Sequence, residues 1–223
     1  GGGGSDAFTL DELGLDRPSL EPAGQVHLQG DRWRLAVGGF WLSAEQDGTI
    51  DTPGVLGSVP VGAGDRVETD LEVWNADVYG SYRLARYVDG TTDTGGDKFV
   101  FGFDVLAGAR ALGVEYDSVV ESGGFEVGRA GVDETYLQPI VGARMEFRLY
   151  ERIILDVAAD AGYISTGGEE LRTLNVRVGI SIEPVENVGL QVGYRNLDID
   201  LEDGDFEWDG GIAGFFWGVR VLF

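Results

Sequence analysis

The chain has 223 residues, with 39 acidic against 16 basic residues, a formal net charge of −23, no cysteine and one histidine. The lack of cysteine excludes disulfide scaffolds, thiolate nucleophiles and cysteine-ligated metal sites. A surface this acidic repels phosphate backbones, so we expect no nucleic-acid partner. The hydrophobic content of 43% is too high for a disordered chain, and the length suits one barrel-sized domain.

The N-terminal part differs from the rest of the chain. Residues 1–5 read GGGGS, which is typical of a flexible tail or linker. Helical spacing occurs only in a short amphipathic stretch, Phe8, Leu10, Leu13 and Leu15, before Pro18. No stretch approaches the roughly 20 apolar residues of a membrane helix. We therefore predict a flexible N-terminal segment over 1–31 and a folded domain over 32–223.

From Trp33 onward, apolar and polar residues alternate with the period of two that is typical of β-strands. In residues 173–182 every even position is apolar and every odd position is polar or glycine. The alternation predicts eight strands, at about 32–46, 71–88, 98–118, 132–149, 151–165, 169–183, 188–203 and 206–223. Residues 51–62 could form a further strand or a hairpin tip, so ten strands stay open.

The connections between these strands fall into two groups. Short turns at 150–152 and 184–187 alternate with longer loops near 47–70, 119–131, 166–168 and 203–205. The link over 89–97 is longer than the other short turns. An up-and-down antiparallel barrel has this arrangement, and an even number of strands returns both of its ends to one side.

The alternation fits two kinds of barrel, a soluble one with an apolar interior and a membrane-spanning one with an apolar exterior. The polar faces carry charges of both signs in mid-strand, which could interlock as arginine–carboxylate pairs in a narrow interior. This predicted interior network consists of Arg34, Asp77, Arg83, Asp104, Arg110, Arg144, Glu146, Arg148, Asp156, Asp160, Arg177, Arg195 and Arg220. Such a network favours the membrane-spanning barrel.

Aromatic residues mark the ends of the apolar faces. They are Trp33, Trp41, Trp74, Tyr82, Tyr163, Tyr194, Phe215, Trp217 and Phe223. Amphipathic rings at both ends of the strands are typical of the aromatic girdles of a membrane barrel. The faces and the girdles together predict a transmembrane barrel with lipid outside.

The last strand reads FFWGVRVLF. Gly218, Val221 and Phe223 resemble the C-terminal signal of Gram-negative outer-membrane barrels, with Phe216 where that signal usually has a polar residue. With the strand pattern, residues 32–223 resemble small eight-stranded barrels of the outer-membrane protein A type. The resemblance implies insertion by the barrel-assembly machinery, a place in the outer membrane and periplasmic termini. It implies no particular activity.

Residues for catalysis are scarce. The single histidine, His27, lies before the first predicted strand, so no histidine at the barrel rim can act as a general base. Asp156 and Asp160 share an inward-facing strand flanked by arginines, which favours ion pairing over acid–base chemistry. We therefore predict no enzymatic activity and no cofactor.

The final hairpin contains the acidic run DIDLEDGDFEWDG. Its carboxylates could bind Ca²⁺ or Mg²⁺ through oxygen ligands, or form a solvated acidic tip. The metal-ligand candidates are Asp198, Asp200, Glu202, Asp203 and Asp205.

The apolar positions in this hairpin change parity. They are even from Val188 to Tyr194 and odd at Leu197, Ile199 and Leu201. The change predicts a bulge or a change of environment. We expect the odd positions, with Phe206 and Trp208, to form one face that packs on the barrel's own loops or on a partner.

These observations predict a non-enzymatic outer-membrane barrel with a plugged ionic interior. Its role would be that of an envelope anchor, scaffold or surface-interaction protein in contact with outer-membrane lipid. An envelope or surface protein as a partner is left open. Two alternatives also remain: a small porin-like ion or solute pore, and a soluble lipocalin-like barrel that binds an apolar ligand.

Overall fold

The computed structural model describes residues 23–50, 53–56, 59–91, 95–150, 152–167, 169–185, 188–203 and 206–221. Within those ranges the chain is all-β, without a helix. The predicted up-and-down antiparallel architecture is confirmed. The predicted helical stretch at Phe8, Leu10, Leu13 and Leu15 lies outside the described residues.

Eleven strands are described. They are β1 (Ala23–Gln29), β2 (Trp33–Thr49), β3 (Gly54–Leu56), β4 (Val59–Val61), β5 (Arg66–Thr91), β6 (Asp97–Ser122), β7 (Phe125–Leu149), β8 (Ile153–Thr166), β9 (Glu169–Val185), β10 (Val188–Asp203) and β11 (Phe206–Val221). Nine of them form one sheet in the order β1-β2-β5-β6-β7-β8-β9-β10-β11, and β3 pairs with β4 in a small second sheet. Neighbours in the large sheet therefore follow one another along the chain, apart from the inserted β3–β4 hairpin.

The prediction of eight strands is corrected to nine in the main sheet, because β1 falls within the segment predicted to be flexible. β1 pairs with β2, with Val26 opposite Val37 and Leu28 opposite Leu35. Its alternation is only seven residues long, too short to stand out in the sequence. His27 thus lies inside the first strand, where its side chain is buried. The open question about residues 51–62 is resolved as a hairpin, β3–β4.

The odd number of strands in the main sheet changes the relative direction of its first and last strands. Because neighbouring strands are antiparallel, β1 and β11 run in the same direction. β1 also lies in contact with β11, the last strand of the sheet. An even number of strands, as predicted from the sequence, would make the first and the last strand antiparallel.

Three strands are longer than predicted. β5, β6 and β7 contain 26, 26 and 25 residues. The loop predicted over 119–131 is a two-residue turn, in which Gly123 and Gly124 have φ of 60° and 85°. Two successive left-handed residues are typical of a type I′ hairpin turn, which glycine adopts without strain. β6 and β7 thus continue through the predicted loop.

The chain divides into two compact units. Unit 1 comprises residues 1–19, 41–74 and 112–135, and unit 2 comprises residues 20–40, 75–111 and 136–223. The described part of unit 1 has an apolar core of Ile50, Val59, Val61, Val67 and Val120, with Ala130 packed against it. Unit 2 has a small apolar cluster of Ala36, Tyr79, Leu106 and Ile140 beside a large polar interior.

A buried ionic network as the candidate functional site

In unit 2 the sheet buries its polar face and exposes its apolar face. On β9, Thr173, Asn175 and Ser181 are buried, whereas Leu174 and Ile182 are about half exposed, at 47% and 53%. The buried charged residues described in this unit are Arg34, Asp77, Asp104, Arg110, Arg144, Glu146 and Asp160. The distribution is the reverse of that in a water-soluble domain, where charged side chains are almost never fully buried unless paired.

Arg110 on β6 is at the centre of the buried face, with an exposure of 0%. Its Nε donates to Oδ1 of Asp77 at 2.8 Å, and its Nη2 donates to Oδ1 of Asp160. Its Nη1 donates to Oγ1 of Thr173 at 3.0 Å. One guanidinium therefore compensates two buried carboxylates, which come from the two sides of β6 in the sheet order, β5 and β8.

A second cluster forms around Glu146 on β7. Its Oε2 accepts hydrogen bonds from Nη2 of Arg34 at 2.9 Å and from Nη2 of Arg144 at 3.0 Å. Its Oε1 accepts from Nη2 of Arg83 at 3.4 Å. Three arginines on three strands thus share one carboxylate that is 3% exposed. Removing one partner would leave the others with unbalanced charge.

Two aspartates complete this second cluster. Oδ1 of Asp104 accepts from Nε of Arg83 at 2.7 Å, and Oδ2 of Asp156 accepts from Nη2 of Arg144 at 2.8 Å. Arg148 lies at the edge, 3.9 Å from Glu146 and 26% exposed. The sequence-predicted charges on β5, β6, β7 and β8 are therefore brought together in pairs of opposite sign.

Two further arginines rely mainly on neutral partners. Arg195 donates from Nε to Oδ1 of Asn175 at 2.7 Å, its Nη2 lies 3.4 Å from Oδ2 of Asp77, and its guanidinium carbon lies 4.7 Å from the centre of the Phe40 ring. Arg177 donates to the hydroxyl of Tyr79 at 3.1 Å. Aromatic rings and neutral oxygens therefore supply much of the surroundings of these two cations.

Sequence reasoning missed the neutral members of the network. They are Gln25, Asn75, Tyr79, Gln138, Thr173 and Asn175. Most share the parity of a predicted charged residue on the same strand, as Asn75 and Tyr79 do with Asp77. Parity was therefore the signal that could have found them.

The network joins strands that are far apart in the sheet. Arg195 on β10 contacts Asp77 on β5, five places away in the strand order. In a flat sheet this separation would be about 24 Å, since neighbouring strands lie about 4.8 Å apart. Arg177 on β9 likewise contacts Gln25 on β1 at 3.4 Å. The sheet of unit 2 is therefore curled so tightly that its buried face contacts itself.

Chemically, the arrangement compensates charge and offers little for catalysis. Among the described residues, each of the four fully buried acidic side chains lies within 4 Å of at least one arginine. The prediction that the protein is not an enzyme stays a prediction.

Three residues of the predicted assembly signal are only partly described. Gly218 lies in β11. The side chains of Arg220 and Val221 and the whole of Phe223 lie outside the described residues. The signal itself therefore stays a prediction from resemblance.

The acidic hairpin gathers no described metal site. Oδ1 of Asp198 accepts from Asn196 at 3.0 Å, Oδ2 of Asp200 lies 3.9 Å from Nη1 of Arg172, and Glu202 is exposed. The side chain of Asp203 and all of Asp205 lie outside the described residues. Within the described part of the chain, no group of three or more histidines and acids is placed to hold a metal ion. Binding of Ca²⁺ or Mg²⁺ stays a prediction.

The parity change in this hairpin is a change in the polarity of the inward face, without a bulge between β10 and β11. The register of β10 with β11 is unbroken from Val188 to Asp203, and odd positions of β10 face the buried side from residue 189 to 201. Leu197, Ile199 and Leu201 are at most 2% exposed. These three side chains therefore pack within the protein, whereas the side chains of Phe206 and Trp208 lie outside the described residues.

No protein-family model, no curated protein and no solved structure matches this chain. In the described ranges no helix is long and apolar enough to cross a membrane.

Proposed function

We propose that the chain is a transmembrane β-barrel of the bacterial outer membrane with a filled interior, acting as a non-enzymatic anchor, scaffold or surface-interaction protein of the envelope. One observation carries the proposal: unit 2 buries its charges and exposes its large apolar side chains. In water, exposed apolar area costs about 25 cal/mol per Å². In hydrocarbon the same face is in its preferred medium.

The polarity of the two faces of β5 reverses along the strand. At its start, Val67, Leu71 and Val73 are buried while Glu68 and Asp70 are exposed. Further on, the buried side carries Asn75, Asp77 and Ser81, and the exposed side carries Val78, Tyr82 and Leu84. The strand keeps its parity throughout. Passage of the strand from water into lipid accounts for this reversal.

Aromatic residues support a boundary at each end of the apolar band. Trp33 and Trp41 on β2 are eight residues apart, as are Trp74 and Tyr82 on β5. Eight residues span about 27 Å along a strand, or about 20 Å across a membrane at the usual tilt of roughly 40°. This height is close to the apolar band of about 25 Å in outer-membrane barrels.

Closure of the sheet is supported by the curl of unit 2 and by the contact of β1 with β11. In a closed barrel of nine strands, each antiparallel to the next, β1 and β11 would meet in the same direction. This departs from the even-numbered barrels of the outer-membrane protein A type. In our proposal β11 ends at the periplasmic side, where the barrel-assembly machinery would read Gly218, Val221 and Phe223. The likeness to that family remains part of the proposal.

The filled interior favours an anchor over a pore. The buried face is occupied by arginine–carboxylate clusters whose members are almost fully enclosed, such as Arg110 and Arg144 at 0% and 4% exposure. A water-filled porin-like channel needs an open interior. The lipocalin-like alternative needs an apolar interior and a charged exterior, which is opposite to the burial of unit 2.

Extraction and gel mobility test the proposal. The expressed chain should stay with membranes without detergent, and after extraction its band should shift when the sample is boiled. In planar bilayers it should give no steady conductance. Detergent-free solubility with no heat-dependent shift would overturn the membrane assignment, and a stable conductance would favour the pore.

A further inference from the structure

A small cavity remains in the interior of unit 2, beside the contact between β1 and β11. Its polar lining is Gln25, Arg177, Gln191 and Arg195 together with Asp77, and Phe216 and Trp217 form an apolar side. The free space is about 40 Å³. That is room for roughly three water molecules or for one small ionised group.

The charges around the cavity do not balance. Arg110 already engages both Asp77 and Asp160, and Arg195 shares Asp77. Arg177 has no carboxylate within 4 Å among the described residues, and its partners are the neutral Tyr79 and Gln25. The local count is therefore three arginines against two aspartates. Arg177 therefore shares the more distant charges of Asp77 and Asp160 with Arg110 and Arg195, and the cluster keeps one positive charge in excess in a poorly solvated place.

Arg177 also has an unused donor. Its Nε is buried and has no hydrogen-bond partner, while Nη1 and Nη2 each have one. Leaving a charged donor unpaired in the interior is costly. A ligand with an oxygen acceptor and one negative charge would remove both defects.

We propose that this cavity binds a carboxylate group. A carboxylate carries the single negative charge that the cluster lacks, and its two oxygens suit the planar guanidinium groups of Arg177 and Arg195. A phosphate, at about two negative charges, would leave the cluster with an excess of negative charge. The group could come from a small free carboxylate or from the head of a fatty acid.

The place of the cavity in the fold allows either source. Trp217 lines it and is 67% exposed on the apolar face, so the cavity lies directly behind the outer surface at β11. Gly24, Gly38 and Gly218 line the same wall. An added Cβ at Gly218 would meet no atom within 4 Å, which indicates open space there. An alkyl chain could therefore lie along this wall while its head contacts the arginines.

The test is a titration of the detergent-solubilised full chain with [1-¹³C]acetate and with [1-¹³C]octanoate, followed by carbon-13 NMR. Protein-free micelles serve as the blank. We expect a saturable shifted carboxylate signal. Saturation by both probes identifies a free carboxylate as the source, and saturation by octanoate alone identifies a fatty-acid head. Saturation by neither probe overturns the proposal, as does equally tight competition by inorganic phosphate.

Two variants and one control test whether the carboxylate binds in this cavity. Arg177→Gln should weaken binding at least tenfold, whereas Arg86→Gln, which removes an exposed arginine paired with Asp97, should leave it unchanged. Gly218→Leu fills the open space beside Gly218, leaves every charged residue in place and should also abolish binding. If Arg177→Gln does not fold, Gly218→Leu decides the matter. Unchanged binding in Gly218→Leu would then overturn the assignment of the cavity.

Discussion

Arg110 shows how much depends on a single side chain in this interior. It is fully buried and bonds Asp77, Asp160 and Thr173. Replacement by Met would keep most of the volume but leave two buried carboxylates short of a cation. Breaking a buried pair in this way costs about 3–5 kcal/mol. We expect Arg110→Met to lower the free energy of unfolding in detergent by that amount, measured by urea titration.

The control for this prediction is an exposed pair. Arg66 and Asp47 lie 2.7 Å apart with both side chains 57% exposed. Surface pairs contribute about 0–1 kcal/mol, so Arg66→Met should change stability little. Equal losses in the two variants would show that burial does not set the strength of the network.

Asp65, in the turn between β4 and β5, gives a prediction about pH. Hydrogen bonds from the Ser122 side chain and from the backbone N–H of Gly62 hold the pKa of Asp65 below its usual value of about 3.8. Because the pKa of Asp65 is lower in the folded state, its ionised carboxylate stabilises the fold at pH values above the ordinary pKa. This contribution is lost as pH falls through the folded-state pKa. Carbon-13 NMR should show Asp65 titrating below the unfolded chain, and Asp65→Asn should remove this dependence. Titration at the ordinary value would contradict the geometry.

At the level of elements, the sequence predicts the regularly alternating strands best. The alternations in residues 153–163 and 173–182 correspond to β8 and β9, because one face of each is uniformly apolar. β1 is missed because seven residues with one exposed valine and one exposed leucine resemble a loop. The neutral side chains of the network are missed because an amide such as Asn75 carries no charge that suggests a buried ion-pair partner, and only its parity with Asp77 places it on the inward face.

The turn at Gly123 and Gly124 was missed for a different reason. Glycine and acidic residues nearby resemble a long loop, whereas the two glycines alone close the hairpin of β6 and β7. Gly124→Ala places a Cβ at φ of 85° and should destabilise the protein by about 1–2 kcal/mol. Gly80→Ala is the matched control, since its added Cβ meets no atom within 4 Å and its φ is not positive. Thermal unfolding of both variants measures the difference, and an undisturbed Gly124→Ala would argue against this turn.

At the scale of the whole molecule, the reversal of face polarity along single strands is more informative than composition about the surroundings of each part of the chain. β5 and β10 keep one parity facing inward while the inward residues change between apolar and polar. On β10 the inward side carries Arg195 and then Leu197, Ile199 and Leu201. The sequence shows the same change as a shift of apolar parity, but cannot separate a bulge from a new medium. The unbroken register of β10 with β11 excludes a bulge between these two strands at the parity change.

A pair of valines tests which medium surrounds each part of the chain. Val178 on β9, 43% exposed, belongs to the face proposed to meet lipid, and Val127 on β7, 52% exposed, belongs to unit 1, proposed to stand in water. An outward arginine costs about 2–4 kcal/mol near the centre of a bilayer and about 0–1 kcal/mol near its edge. In phospholipid vesicles, Val178→Arg should therefore lose several times more unfolding free energy than Val127→Arg. In a water-soluble barrel both arginines would be solvated, so two small and equal changes would refute the membrane assignment. Because the two valines are similarly exposed, a large difference between them would have to come from the surrounding medium.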